Sequence, residues 1–272
     1  MTTTPRQRLH NVTVYGLGVA VASIQSGSSP ALTLAWLHGL GGASTIQFAR
    51  AATHPSLAGV TSLLIDLPGF GRSSRPDAWD YTMESQSTVV LEVLSRISEG
   101  PVALFGHSMG GSVAILCAER APDAFRQLIV AEPSLKVGGG PTSAYIAAQE
   151  EEAYVCHGHE VLLRATRRGA RAGNPEAMSW QEAVELASPL AMHRSATSLV
   201  ADRTPPLREI FDTLAVPRAL ILGASSAYAS RPAGVPVHIV PNAGHVMMAG
   251  SPEGFVTALV AALDLPVAHR FC

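Results

Sequence analysis

The chain has 272 residues, 47% of them hydrophobic and 15% charged, with a formal net charge of −2. That composition belongs to a globular chain able to bury a substantial core, and it excludes a disordered one. The balance of 19 basic against 21 acidic residues gives no electrostatic reason to expect nucleic acid or an anionic membrane as a partner.

The chain opens with two short β-prone runs, Val12–Tyr15 and Val19–Ser23, separated by Gly16 and Gly18, which read as an antiparallel hairpin. Ala31–Leu37 is nearly continuous in apolar residues, as a strand buried on both faces should be. Further runs of this kind follow at Val60–Ile65, Val102–Phe105, Leu128–Ala131, Ala219–Leu222 and Val235–Val240. Helical patterns lie between them. Met83–Ile97 puts Val89, Val90, Val93, Leu94 and Ile97 on one face, Ser112–Glu119 is small and apolar, and Phe255–Leu263 closes the pattern. Strands alternating with helices predict an α/β fold with a mostly parallel central sheet and helices on both faces.

The alternation breaks between about Ser134 and Leu214, where no strand is convincing. Helical stretches are expected there at Ala144–Tyr154, Glu160–Arg168, Pro175–Ala187 and Leu190–Ala201, before Pro205-Pro206 punctuates the return. So long a segment between two strands reads as a helical cap, or lid, over residues 134–214, with 1–133 and 215–272 forming the core domain. The three cysteines, Cys117, Cys156 and Cys272, have neither disulfide nor metal-site spacing and read as free thiols in a reducing compartment. No apolar run follows the polar start of the chain, and no stretch approaches the ~20 apolar residues of a membrane helix. A soluble, cytoplasmic protein without a membrane partner is expected, its oligomeric state open.

The sequence Gly106-His107-Ser108-Met109-Gly110-Gly111 satisfies G-x-S-x-G, follows a strand and opens a small-residue helix. A sharp strand-to-helix turn forces the serine into a strained backbone conformation and demands small neighbours. Ser108 would then stand at the carboxyl edge of the sheet, where open α/β sheets bind ligands, above a helix N-terminus that favours negative charge.

With these motifs the chain resembles the α/β-hydrolase family from about Leu32 to Phe255. His38-Gly39-Leu40-Gly41-Gly42 follows its strand where the family places an oxyanion loop. Asp66-Leu67-Pro68-Gly69-Phe70-Gly71-Arg72-Ser73-Ser74 resembles the family's turn after the next strand, and Asn242-Ala243-Gly244-His245 follows the last strand, where the family carries its histidine. The resemblance implies Ser108 as nucleophile, His245 as general base, and the backbone N–H groups of Leu40 and Met109 as oxyanion donors. Gly39 and Gly41 let the loop come close to a substrate. His38 and His107 flank the glycine loops and read as structural.

The acid departs from the common family pattern. No Asp or Glu occurs from Leu214 to His245, where most members place an aspartate. Glu132, in Val130-Ala131-Glu132-Pro133-Ser134, ends the earlier strand, and a minority of the family, haloalkane dehalogenases included, carries its acid there. A charge at the end of a buried strand also needs a partner, which an imidazolium would supply. Asp202 and Asp212 remain as alternatives, as does a dyad in which Ser225 or Ser226 holds the histidine.

A serine nucleophile argues against dehalogenase and epoxide-hydrolase chemistry and suits acyl transfer. The expected reaction is hydrolysis of a small carboxylic ester, with no cofactor and no metal. Thioester, lactone or carbon–carbon bond hydrolysis, and non-catalytic ligand binding of the receptor kind, stay open. Tyr145 and Trp180 are candidates to line the substrate pocket, while the basic run Arg164, Arg167, Arg168 and Arg171 reads as a solvated face.

Overall fold

The computed structural model describes residues 5–25, 32–226 and 232–263. Eight strands form one sheet: β1 (Arg6–Val14), β2 (Leu17–Gln25), β3 (Leu32–Leu37), β4 (Val60–Ile65), β5 (Val102–His107), β6 (Phe125–Ala131), β7 (Arg218–Gly223) and β8 (Val237–Val240), in the order β1-β2-β4-β3-β5-β6-β7-β8. The expected hairpin is there, longer than expected. Val14 pairs with Leu17 across Tyr15-Gly16, both at positive φ (50° and 79°), the two-residue turn whose twist suits antiparallel strands. β2 runs antiparallel to β4, and from β4 to β8 every pairing is parallel.

Alternation along the strands divides the interior in two. Ala35, Leu37, Leu104 and Val130 face one apolar cluster with α1 (Met83–Ile97) and α2 (Met109–Arg120), while Leu34, Trp36, Phe105 and Ile129 face the other. Trp36, Phe48, Phe105 and Phe255 stack at 5.2–5.6 Å in the second cluster. Helices therefore cover both faces, as a parallel sheet requires.

Between β6 and β7 the chain is helical: α3 (Pro141–Ala147), α4 (His159–Arg171), α5 (Pro175–Val184), α6 (Pro189–Val200) and α7 (Leu207–Thr213). A last helix, α8 (Pro252–Ala262), follows β8. Ala144–Tyr154 is not one helix, contrary to expectation. Glu150 takes an extended conformation (φ −63°, ψ 141°), and His193 Nε2 donates to the Gln149 carbonyl at 2.7 Å. The chain restarts at Glu151 and passes through a π-type turn, Tyr154–Gly158, into α4.

Candidate active site

Ser108 leaves β5 and caps α2 with φ 51° and ψ −117°, a left-handed conformation that costs a non-glycine residue energy. The neighbouring strand holds it there, since Ser108 N–H donates to the Ala131 carbonyl at 2.9 Å. The glycines are forced. A Cβ on Gly110 would collide with the carbonyl oxygens of Leu37 and His38, so the elbow can pack beneath β3 only without a side chain. Met109 is the first residue of α2, where a backbone N–H has no helical acceptor.

The loop after β3 lies against this elbow: a Cβ on Gly39 would sit 3.2 Å from Ser108 Cβ. Its shape is fixed by its own carbonyls. Gly39 O accepts from Gly42 N–H at 2.9 Å and from His38 Nδ1 at 2.8 Å, and His38 Nε2 in turn accepts from Leu67 N–H at 3.0 Å. His38 is thus a neutral ring carrying its proton on Nδ1; burial lowers its pKa against the pull of Asp66. In a trans peptide the carbonyl and N–H point opposite ways, so holding Gly39 O also aims Leu40 N–H. That N–H has no acceptor among the described residues. The next carbonyl, Leu40 O, accepts from Trp180 Nε1 on α5 at 2.9 Å.

Glu132 directly follows β6, beside Ser108, because His107 and Ala131 pair in register. It is 4% exposed, at φ 49°. Oε1 accepts from Gly223 N–H at 2.9 Å, and Oε2 accepts from Ser226 Oγ at 2.5 Å and lies 3.7 Å from His245 Nδ1. The loop after β7, which has no carboxylate of its own, therefore feeds hydrogen bonds to the carboxylate of the neighbouring strand. Ser226 holds Glu132 rather than the histidine, the reverse of the dyad alternative. Asp202 and Asp212 have no contact with His245 among the described residues; Asp212 pairs with Arg208 at 2.7 Å.

His245 follows β8 with its side chain 52% exposed, reachable from solvent and from a substrate. His107 Nε2 donates to the His245 carbonyl at 2.8 Å, with the two rings 4.9 Å apart. Burial, and next the neighbouring His245, push His107 down to about 3. His107 so stays neutral. No hydrogen bond joins Ser108 Oγ to His245 among the described residues, and such bonds commonly tighten only around substrate.

Two features had no signal in the sequence. The Trp180 bond to Leu40 spans 140 positions. Glu176, also on α5, reaches the histidine loop, its Oε1 lying 2.9 Å from where a Cβ on Gly244 would stand. Tyr145 sits on α3, 49% exposed, and makes no polar or ring contact with Ser108, Leu40 or His245 among the described residues. In the basic run, Arg164 pairs with Glu160 and Arg167 with Glu185, both at 2.9 Å on the surface, which fits a solvated face. No group of three or more metal-ligating side chains occurs among the described residues, and none of their helices is long and apolar enough to cross a membrane.

Residues 34–155 match a family model described as alpha/beta hydrolase fold. Over 131 residues the chain is 32% identical to the sn-1-specific diacylglycerol lipase ABHD11 of Mus musculus, a match spanning 47% of this chain but only 42% of the relative. It is 25% identical to Esterase Rv0045c of Mycobacterium tuberculosis over 243 residues, 76% of this chain and 75% of that one. It is also 28% identical to the 2-succinyl-6-hydroxy-2,4-cyclohexadiene-1-carboxylate synthase of Serratia proteamaculans, over 89% of this chain and 96% of the relative. Among solved structures, a thermophilic esterase from Thermogutta terrifontis superposes with a TM-score of 0.74 at 18% identity, covering 96% of this chain and 98% of the other, a likeness of fold. Sheet order, elbow and matches together give this chain the α/β-hydrolase fold, the family model covering residues 34–155.

Proposed function

We propose that the chain hydrolyses a small carboxylic ester through an acyl-enzyme on Ser108. His245 accepts the Ser108 proton as the hydroxyl attacks the ester carbonyl, then returns it to the departing alcohol. The tetrahedral oxyanion is held by the N–H groups of Leu40 and Met109, each worth roughly 3–4 kcal/mol in the barrier. Water then attacks the acyl-enzyme with His245 as base, releasing the acid and restoring Ser108. Glu132 orients His245 and balances its positive charge; the 3.7 Å separation becomes a hydrogen bond with a small movement of the half-exposed imidazole.

The observation that carries this reading is the packing of the oxyanion loop on the Ser108 elbow, with the N–H groups of Leu40 and Met109, which have no acceptor among the described residues, beside a left-handed serine. The names of the lipase and esterase relatives support an ester as substrate class. The synthase relative, matched over 96% of its length, keeps a second reading in view, in which the same residues act on a thioester, lactone or carbon–carbon bond. Residues 134–214 serve as the cap, and the free thiols of Cys117 and Cys156 suit a cytoplasmic location.

The experiment compares wild type with Ser108→Ala on short p-nitrophenyl esters, acyl thioesters and lactones. Turnover should be highest on the esters and fall by at least about 10⁴-fold in the variant. Preference for another class selects the second reading, and turnover that survives Ser108→Ala overturns both.

A further inference from the structure

We propose that Trp180 is a positioning residue for the oxyanion hole, through which the helical segment sets the reactivity of Ser108. The inference rests on the reading above, in which Leu40 N–H stabilises the oxyanion.

The Leu40 N–H is aimed by the two carbonyls that flank it. Gly39 O is held from within the core, by His38 and Gly42. Leu40 O is held from outside it, by the Trp180 indole N–H at 2.9 Å. Gly41 follows at φ +68°, where glycine turns at little cost. Trp180 and Met192 close over it, for a Cβ on Gly41 would lie 2.9 Å from Trp180 Nε1 and 3.2 Å from Met192 Sδ. The Leu40–Gly41 peptide is the middle of the turn that the Gly42 N–H to Gly39 O bond closes, and the indole N–H is the side-chain partner that pins its carbonyl; without it that peptide is freer to rotate, and the turn carrying Leu40 N–H loosens.

The helix bearing Trp180 is well anchored. Asn174 caps its start, accepting from Glu176 and Ala177 N–H at 2.9 and 3.1 Å, and Glu185 just past its end pairs with Arg167. α5 packs against both the turn after the oxyanion loop, Ser44–Gln47, and the turn after the histidine, Met247–Gly250. Glu176 touches the loop of His245 as Trp180 touches that of Leu40. One helix outside the sheet thus grips both loops that serve Ser108.

An oxyanion donor binds most strongly when the carbonyl oxygen carries charge, so loosening it lowers kcat and leaves KM nearly unchanged. Trp180→Phe keeps an aromatic ring and removes the N–H. Its kcat on p-nitrophenyl acetate should fall about tenfold, part of the 10²–10³ that complete loss of a donor costs. KM should stay within about twofold, the affinity for phenylboronic acid, a tetrahedral mimic once bound to serine, should fall in parallel with kcat, and the melting temperature should hold. Backbone amide exchange in the peptide spanning 38–47 should rise.

A raised KM at unchanged kcat would make Trp180 a wall of the substrate pocket and overturn the proposal. Unchanged kcat with unchanged exchange would overturn it as well. If wild type hydrolyses no ester and Ser108 resists a fluorophosphonate, the functional reading fails by itself. The exchange measurement still decides in that case: a rise in Trp180→Phe upholds the grip on the loop, and none refutes it.

Discussion

A carboxylate that is only 4% exposed needs donors around it, and Glu132 has them in Gly223 N–H and the Ser226 hydroxyl, with the His245 imidazole 3.7 Å away. Glu132→Gln can keep the bond from Gly223 but loses the charge facing the imidazole. Its kcat on p-nitrophenyl esters should fall by about three to four orders of magnitude while the protein stays folded by circular dichroism. Near-normal turnover in a folded variant would remove Glu132 from the mechanism. The sequence pointed to this residue through a negative feature, the lack of any Asp or Glu from Leu214 to His245. It could not reveal the left-handed backbone at Glu132 or its bond with Ser226, because both depend on β6 and β7 lying side by side. Ser108 was legible for the opposite reason, since its strand, elbow and helix are consecutive in the chain.

At the scale of elements, legibility followed burial. β4 and α1 run over the residues their apolar patterns mark, Val60–Ile65 and Met83–Ile97, because both are set by dense core contacts. β1 and β2 reach further than their apolar cores suggest; β1 is an edge strand whose exposed residues, such as Arg6 and Arg8, carry no hydrophobic signal. α7 went unseen because seven residues make under two turns, although Ile210 and Phe211 bury one face of it. The expected helix Ala144–Tyr154 fails through a tertiary bond, His193 to Gln149 O, that no local pattern encodes. Likewise Trp180 was legible as an aromatic of the helical segment, and its bond to Leu40 only from the folded chain.

For the molecule as a whole, the buried histidines tie stability to pH. His107 titrates at about 3 in the fold against an ordinary value of 6.5, with burial as the main cause. The unfolded chain therefore takes up a proton below pH 6.5 that the fold refuses until about pH 3. The resulting stability is complete above pH 6.5 and is lost as pH falls toward 3; His38 acts in the same direction. Calorimetry should show the melting temperature dropping across that window in wild type, and dropping less steeply in His107→Gln, which can still donate to the His245 carbonyl. Equal slopes would contradict this. In the proposed mechanism the same neutrality spares His245 a second positive charge beside it. In the proposed mechanism the loops gathered at the carboxyl edge of the sheet make Ser108 an acyl acceptor. The most direct measurement is peptide mass analysis after rapid acid quench of a p-nitrophenyl acetate reaction. An acetyl group on the peptide carrying Ser108, absent in Ser108→Ala, is the predicted result; steady turnover with no adduct there, or with the adduct on another residue, would contradict it.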